Sequence, residues 1–404
     1  MDKKNNKPQI RFIGFTDPWE QRKLKDEVEI IMGQSPAGNT YSDIPNGHIL
    51  VQGNADLKNG WVSPRIWTTQ ITKKADKGDL IMSVRAPAGE IGKTAFNVVL
   101  GRGVAAIKGN EFIFQTLSKM NKDSYWKKLS CGSTFESINS DNIKSAKIKI
   151  SSPIEQNKIG SLFLQIDNLI TLHQRKLYKL KIIKKSLLEK MFPKTGKTIP
   201  EIRFKNFTEP WEQRKFGDLA EYKKGPFGSA LKKDFFVPKN TTTVKVYEQQ
   251  NAIKKNWKLE RYYITKDLAT KLKSFKLSSG DIIVSCAGTI GEVYELPPEA
   301  EYGIINQALM RVRVNQSIIN KNLFIIVFSN MIDRFSHQNS NGSAIKNIPP
   351  FSDLKQAETF LPTSTEQEKV VKIVRNIDNL ITLHQRQLEK LKNLKKSLLD
   401  KMFV

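Results

Sequence analysis

Apolar residues recur every three or four positions through two long stretches of the chain. In the first, Ile166, Leu169, Leu177, Leu180, Ile183 and Leu187 mark one face, and neither Gly nor Pro interrupts residues 161–192. In the second, Ile377, Leu380, Leu388, Leu391, Leu394 and Leu398 follow the same spacing. That period predicts two long amphipathic helices. Each start carries a capping box, Ser152-Pro153-Ile154-Glu155 with Pro at the first helical position, and Thr363-Ser364-Thr365-Glu366. The stripes are narrow, so the two helices are expected to bury them against each other as an antiparallel coiled coil. His173 and His384 fall on the expected seams, where a single polar residue commonly fixes register. Outside the helices the pattern shortens to β-type runs such as His48–Gln52 and Thr243–Tyr247, set among Gly, Ser, Thr, Asn and Lys. These read as mixed α/β domains with short strands and long loops, giving an α+β fold.

The two helices are copies of one text. Ile-Asp-Asn-Leu-Ile-Thr-Leu-His-Gln-Arg stands at 166–175 and again at 377–386, and the likeness runs on to Phe192 and Phe403. The doubling extends to the rest of the chain. Phe15-Thr16-Asp17-Pro18-Trp19-Glu20-Gln21-Arg22-Lys23 returns as Phe207-Thr208-Glu209-Pro210-Trp211-Glu212-Gln213-Arg214-Lys215. Gly78–Ser83 matches Gly280–Ser285, each followed by Gly-x-Ile-Gly, and Gln52-Gly-Asn-Ala55 has a counterpart in Gln249-Gln-Asn-Ala252. The chain is therefore one module written twice, an internal two-fold repeat. The boundaries that follow are 1–152 for a first domain, 153–193 for its helix, 194–362 for a second domain and 363–404 for the second helix. Residues 33–75 and 225–277 share almost nothing, and loops that diverge inside a kept frame suit two different targets.

Charge then narrows the class. The 404 residues hold 66 Lys and Arg against 40 Asp and Glu, a formal net charge of +26, which favours a polyanionic partner. Two cysteines, Cys131 and Cys286, make neither a disulfide framework nor a zinc site, so a reducing cytoplasm is expected. The N-terminus reads as no signal peptide, and no apolar run is long enough to span a membrane.

Catalytic motifs are near misses. Gly89-Glu-Ile-Gly92-Lys93-Thr94 ends like a phosphate-binding loop but lacks its first glycine, and its repeat at Gly288 has no lysine, so both read as turns between strands. Asn347-Ile-Pro-Pro-Phe351 falls short of an adenine-methyltransferase motif at Ile348. The four histidines, His48, His173, His337 and His384, show no metal spacing, and acidic residues do not cluster as nuclease carboxylates would. No metal site and no bound cofactor are expected. Binding chemistry is better represented. Asn and Gln pair with adenine, Arg and Lys with guanine, and further cations neutralise phosphates. In the first module the candidates for DNA contact are Gln52, Asn54, Arg65, Arg85, Lys93 and Ser133. In the second they are Lys223, Lys224, Ser229, Lys232 and Tyr247, then Gln249, Gln250 and Asn251, with Ser343 and Lys346 beyond. Apolar residues off the expected seam also recur. Ile170, Leu172, Leu188 and Phe192 return as Ile381, Leu383, Leu399 and Phe403, two equivalent faces for partner docking or for packing on the adjacent domains.

With these motifs the whole chain resembles the specificity subunit of type I restriction-modification enzymes. The duplicated Phe-Thr-Asp/Glu-Pro-Trp-Glu-Gln-Arg-Lys and Asp-Asn-Leu-Ile-Thr-Leu-His-Gln-Arg carry the likeness, with Gly225-Pro-Phe-Gly-Ser-Ala-Leu-Lys232 and Tyr247–Ala252 beside them. The resemblance implies a non-catalytic subunit whose two target-recognition domains each read half of a split, asymmetric double-stranded DNA site. It also implies two methylation subunits and restriction subunits as partners, and these bring S-adenosylmethionine, ATP and Mg. The competing expectations are a self-contained methyltransferase or nuclease, and a coiled-coil scaffold that binds no DNA.

Overall fold

The computed structural model describes residues 6–130, 137–194, 196–338 and 350–404. The candidates Ser133, Ser343 and Lys346 lie outside them. The chain forms two compact units, residues 1–178 with 382–404, and residues 179–381. The long helices run Pro153–Lys190 and Ser364–Met402. Each unit thus takes the start of one helix and the end of the other, a partition that the linear boundaries of the sequence do not convey.

In the first unit, a six-stranded sheet is ordered Glu29–Met32, Val104–Lys108, Leu80–Ser83, Ile91–Lys93, Trp61–Val62 and Leu57–Lys58. A five-stranded sheet carries His48–Val51 parallel to Val98–Leu100, with Val51 opposite Leu100. In the second unit, Ala220–Lys224, Leu309–Val314, Ile282–Ser285 and Val293–Glu295 form one sheet. Thr243–Tyr247 runs parallel to Gly303–Ile305 in another, with Tyr247 opposite Ile305. The Gly-x-Ile-Gly segments close the hairpins Leu80–Ser83/Ile91–Lys93 and Ile282–Ser285/Val293–Glu295, as turns between strands. Both β-type runs seen in the sequence are these parallel strands.

The repeated Phe-Thr-x-Pro-Trp-Glu-Gln-Arg-Lys segment fixes each unit to the start of its helix. Glu20–Lys23 pairs antiparallel with Lys147–Ile150, and Glu212–Lys215 with Glu358–Leu361, the strands that lead into the two helices. Arg11 forks onto Glu155 at 2.6 and 2.9 Å, and Trp19 Nε1 donates to the same carboxylate at 3.2 Å. Arg203 grips Glu366 at 2.9 Å through both nitrogens. Ser152 caps the first helix by accepting from Glu155 N, but the Glu155 carboxylate, fully buried, serves Arg11 and Trp19 instead of closing the box. The aromatic just past the end of each helix then plugs a core. Phe403 meets Trp19 edge-on at 6.0 Å and stacks on Phe112 at 5.2 Å in the first unit, and Phe192 meets Trp211 edge-on at 5.7 Å in the second. Beside each plug the backbone closes in the same way, Ile10 N donating to Lys401 O and Ile202 N to Lys190 O, both at 3.0 Å.

The helices pack on each other in both units. In the first, Lys395 Nζ donates to Asp167 at 2.7 Å and His173 Nδ1 lies 2.9 Å from His384 Nδ1, so partner numbers fall as numbers rise and the pairing is antiparallel. In the second, Lys184 bonds Asp378 at 2.6 Å. The less exposed positions step by heptads through Phe163, Ile166, Ile170, His173 and Leu177, and through His384, Leu388, Leu391, Lys395 and Leu398. Leu169, Ile183, Leu380 and Leu394 are instead 44–48% exposed and stand off the seam. The reason is physical: seam positions 184 and 395 hold lysines paired with aspartates on the facing helix, and a stripe drawn from hydrophobicity alone steps around them.

Candidate nucleic-acid interface

The loops leaving the C-terminal ends of each parallel strand pair converge. In the first unit Gln52 follows Val51, and the turn Gly101–Val104 follows Leu100, with Gly101 N bonded to Val51 O at 2.8 Å. In the second, Glu248 follows Tyr247, and the turn Asn306–Leu309 follows Ile305, with Asn306 N bonded to Tyr247 O at 3.0 Å. Both turns close with the same i to i+3 bond at 3.2 Å, Val104 N to Gly101 O and Leu309 N to Asn306 O. A third loop presses on each turn. Gly33 N donates to Val104 O and Gly225 N to Leu309 O. A Cβ at Gly33 would overlap Gly101 O, and one at Gly225 would overlap Asn306 O, so only glycine lets the chains approach this closely. Each third loop then makes a 3₁₀ turn, Gly38–Thr40 or Gly228–Ala230. The two modules therefore share a frame at the segment where their sequences agree least. In this frame Gln52 corresponds to Glu248, so the matching letters of Gln-x-Asn-Ala are one residue out of step.

Several sequence candidates fall at this frame with their polar groups available. Gln52 and Asn54 are half-buried on a turn held by Asp56, whose carboxylate accepts from Gln52 N at 2.7 Å and Gly53 N at 3.2 Å. Arg65 is 45% exposed and bonds the other oxygen of Asp56 at 2.8 Å. Lys224, Ser229, Lys232 and Gln250 are exposed, and Lys223 lies 5.1 Å from the Phe275 ring. Arg85 is exposed at a separate bridge to Ser137.

Other candidates are committed to the protein itself. Lys93 is only 9% exposed, bonded to Glu111 at 2.8 Å and set over the Trp61 and Phe114 rings. Glu111 also takes Gln115 Nε2, which reaches Asp167 and so links the domain to its helix. Asn251 is buried, its Nδ2 donating to Asn256 O and Leu259 O at 3.0 Å and its Oδ1 accepting from Glu248 N, so it builds a turn and presents nothing to solvent. Tyr247 is buried with its hydroxyl on Glu301 O at 2.7 Å, and desolvation raises its pKa. Gln249 donates to Ala287 O and Thr289 O across a neighbouring hairpin. Of the docking candidates on and just past the helices, Phe192, Leu399 and Phe403 are core residues, Leu188 packs on a core, and Ile170 and Ile381 lie on the seam. Of the docking candidates, Leu172 and Leu383 remain on the surface, at 45% and 49% exposure.

Residues 16–182 and 208–393 each match the type I restriction modification DNA specificity domain. The chain belongs to that family. A putative type I restriction enzyme specificity subunit of Methanocaldococcus jannaschii is 31% identical over 189 residues, 45% of this chain and 44% of that protein. The MjaVIII specificity subunit of the same organism is 22% identical over 98% of this chain and 95% of its own length. In fold, the specificity subunit of a type I system from M. genitalium superposes with a TM-score of 0.66 at 13% identity, covering 98% of this chain and 99% of that one. The parallel-strand loops are where the two copies of that domain in this chain differ. The turns Gly101–Val104 and Asn306–Leu309 went unnoticed in the sequence because they share no letters; the glycine opposite each, Gly33 or Gly225, was the available signal. Among the described residues no cluster of metal-binding side chains occurs, and no helix is long and apolar enough to cross a membrane.

Proposed function

We propose that the first domain reads one half and the second domain the other half of an asymmetric, bipartite double-stranded DNA site. The observation that carries this reading is the repeated strand-end frame holding different side chains in the two modules. Recognition is this chain's contribution; methyl transfer, translocation and cleavage, with S-adenosylmethionine, ATP and Mg, fall to methylation and restriction subunits in the cytoplasm. Two methylation subunits dock on duplicated apolar positions of the long helices. Leu169 and Leu172 on the first helix are matched by Leu380 and Leu383 on the second, all between 44 and 49% exposed. Apolar side chains repeated on the surface of a strongly charged chain fit two copies of one partner.

The test is to co-express the chain with its methylation subunit, purify the complex and map methylated adenines on genomic DNA. One split, asymmetric sequence is expected. Leu172→Asp with Leu383→Asp is expected to abolish co-purification while leaving the chain folded. A palindromic or unsplit site would refute the division of labour, and an unchanged complex would refute the docking faces.

A further inference from the structure

Each of the two strand-end turns carries an outward-facing polar side chain at its tip. Position i+1 of the first turn is Arg102 and of the second is Gln307. Both are exposed, and among the described residues neither side chain has a partner. Their backbones, by contrast, are held from three sides. Gly101 and Gly103 are buried beside Gln52, and Arg102 N donates to Ser35 Oγ at 3.1 Å. Asn306 Oδ1 accepts from Ala308 N at 3.1 Å across the second turn. A free planar head on a fixed backbone is what readout of a base edge requires, because little backbone entropy is lost on contact. An exposed arginine or glutamine elsewhere on the surface lacks that second property.

We propose that Arg102 and Gln307 are equivalent base-reading residues, one in each half-site. Arg102 forks onto the O6 and N7 acceptors of a guanine, and Gln307 pairs with N6 and N7 of an adenine. Surroundings of the second turn support the assignment. Gln307 lines a cavity of about 590 Å³ together with Lys223, Lys224 and Phe227. Phe227 is 88% exposed, an aromatic face for stacking beside cations that meet phosphate. The proposal rests on the division of the site between two domains, and it adds which side chains discriminate.

The experiment uses the full chain in complex with its methylation subunit, selecting bound duplexes from a randomised library at fixed salt. The wild type sets the reference: failure to select any bipartite consensus would overturn the reading of two half-sites and this proposal with it. Given a consensus, Arg102→Ala is expected to lose about 5- to 150-fold discrimination for guanine at one position of the first half-site, with the second half-site unchanged. Gln307→Ala should do the same for adenine in the second. Arg102→Lys keeps the charge while replacing the planar fork by a point charge, and is expected to weaken the guanine preference at that one position less than alanine does, with total affinity retained. An intact consensus in the alanine variants overturns the assignment. So does a uniform loss across all sequences, with Arg102→Lys restoring it, since that pattern belongs to a phosphate contact.

Discussion

Gly33 and Gly225 show how much a single residue decides in this chain. Each lies where a side chain would strike a carbonyl of the opposing turn, and a backbone carbonyl cannot swing aside as a lysine could. Gly225→Ala should cost about 1–3 kcal/mol of stability by overpacking and shift the turn that carries Gln307, weakening binding of the second half-site while sparing the first. Urea unfolding and half-site binding check both parts; unaltered values would show that the loop accommodates a methyl group. At this scale the sequence was least legible. Lys93 and Asn251 have the right chemistry for DNA contact, yet Glu111 claims the first and two nearby carbonyls claim the second. Residue type and local composition say what a side chain can bond, whereas the partner that claims it comes from another part of the fold. Asn251 could have been suspected, since both carbonyls lie within eight residues of it. Glu111 lies eighteen residues from Lys93, across two strands and the turn between them.

The long helices were the most legible elements, because a period sustained over more than thirty residues outweighs any local exception. They run Pro153–Lys190 and Ser364–Met402, the first starting at Pro153 and the second just after Thr363. The seam was harder to place, as Lys184 and Lys395 occupy positions where an apolar residue is the rule. His173 and His384 meet there through Nδ1 atoms 2.9 Å apart, a contact that one donor and one acceptor satisfy and two imidazolium rings do not. Burial, then His173 and Lys176, hold the pKa of His384 below its ordinary 6.5. The fold therefore favours the neutral ring, and the unfolded chain takes up the proton first as pH falls. The stability linked to His384 is full above 6.5 and is lost progressively as pH drops through that value towards the lowered one. The melting temperature is expected to fall from about pH 7 to about pH 5 more steeply in the wild type than in His384→Gln. Parallel curves would mean that protonation of His384 does not govern stability in this range.

At the scale of the whole molecule, duplication was plain in the letters, but the exchange of helix ends between the units was not. Nothing local in Met402-Phe403 says that these residues complete the core around Trp19, as Met191-Phe192 complete the one around Trp211. The closing bonds Ile202 N to Lys190 O and Ile10 N to Lys401 O are the same joint, made once along a continuous chain and once between residues far apart in sequence. In the second unit the joint is spanned by eleven residues, 191–201; fusing Val404 to Met1 would span the first with twelve. A circular permutant opened within the Lys194–Pro200 segment and closed by that fusion is expected to unfold with the wild-type midpoint and select the same DNA sequence. Failure to fold would show that the joints differ in kind. Success would make the order in which the two modules follow one another along the chain irrelevant to the fold, so that either could be written before the other.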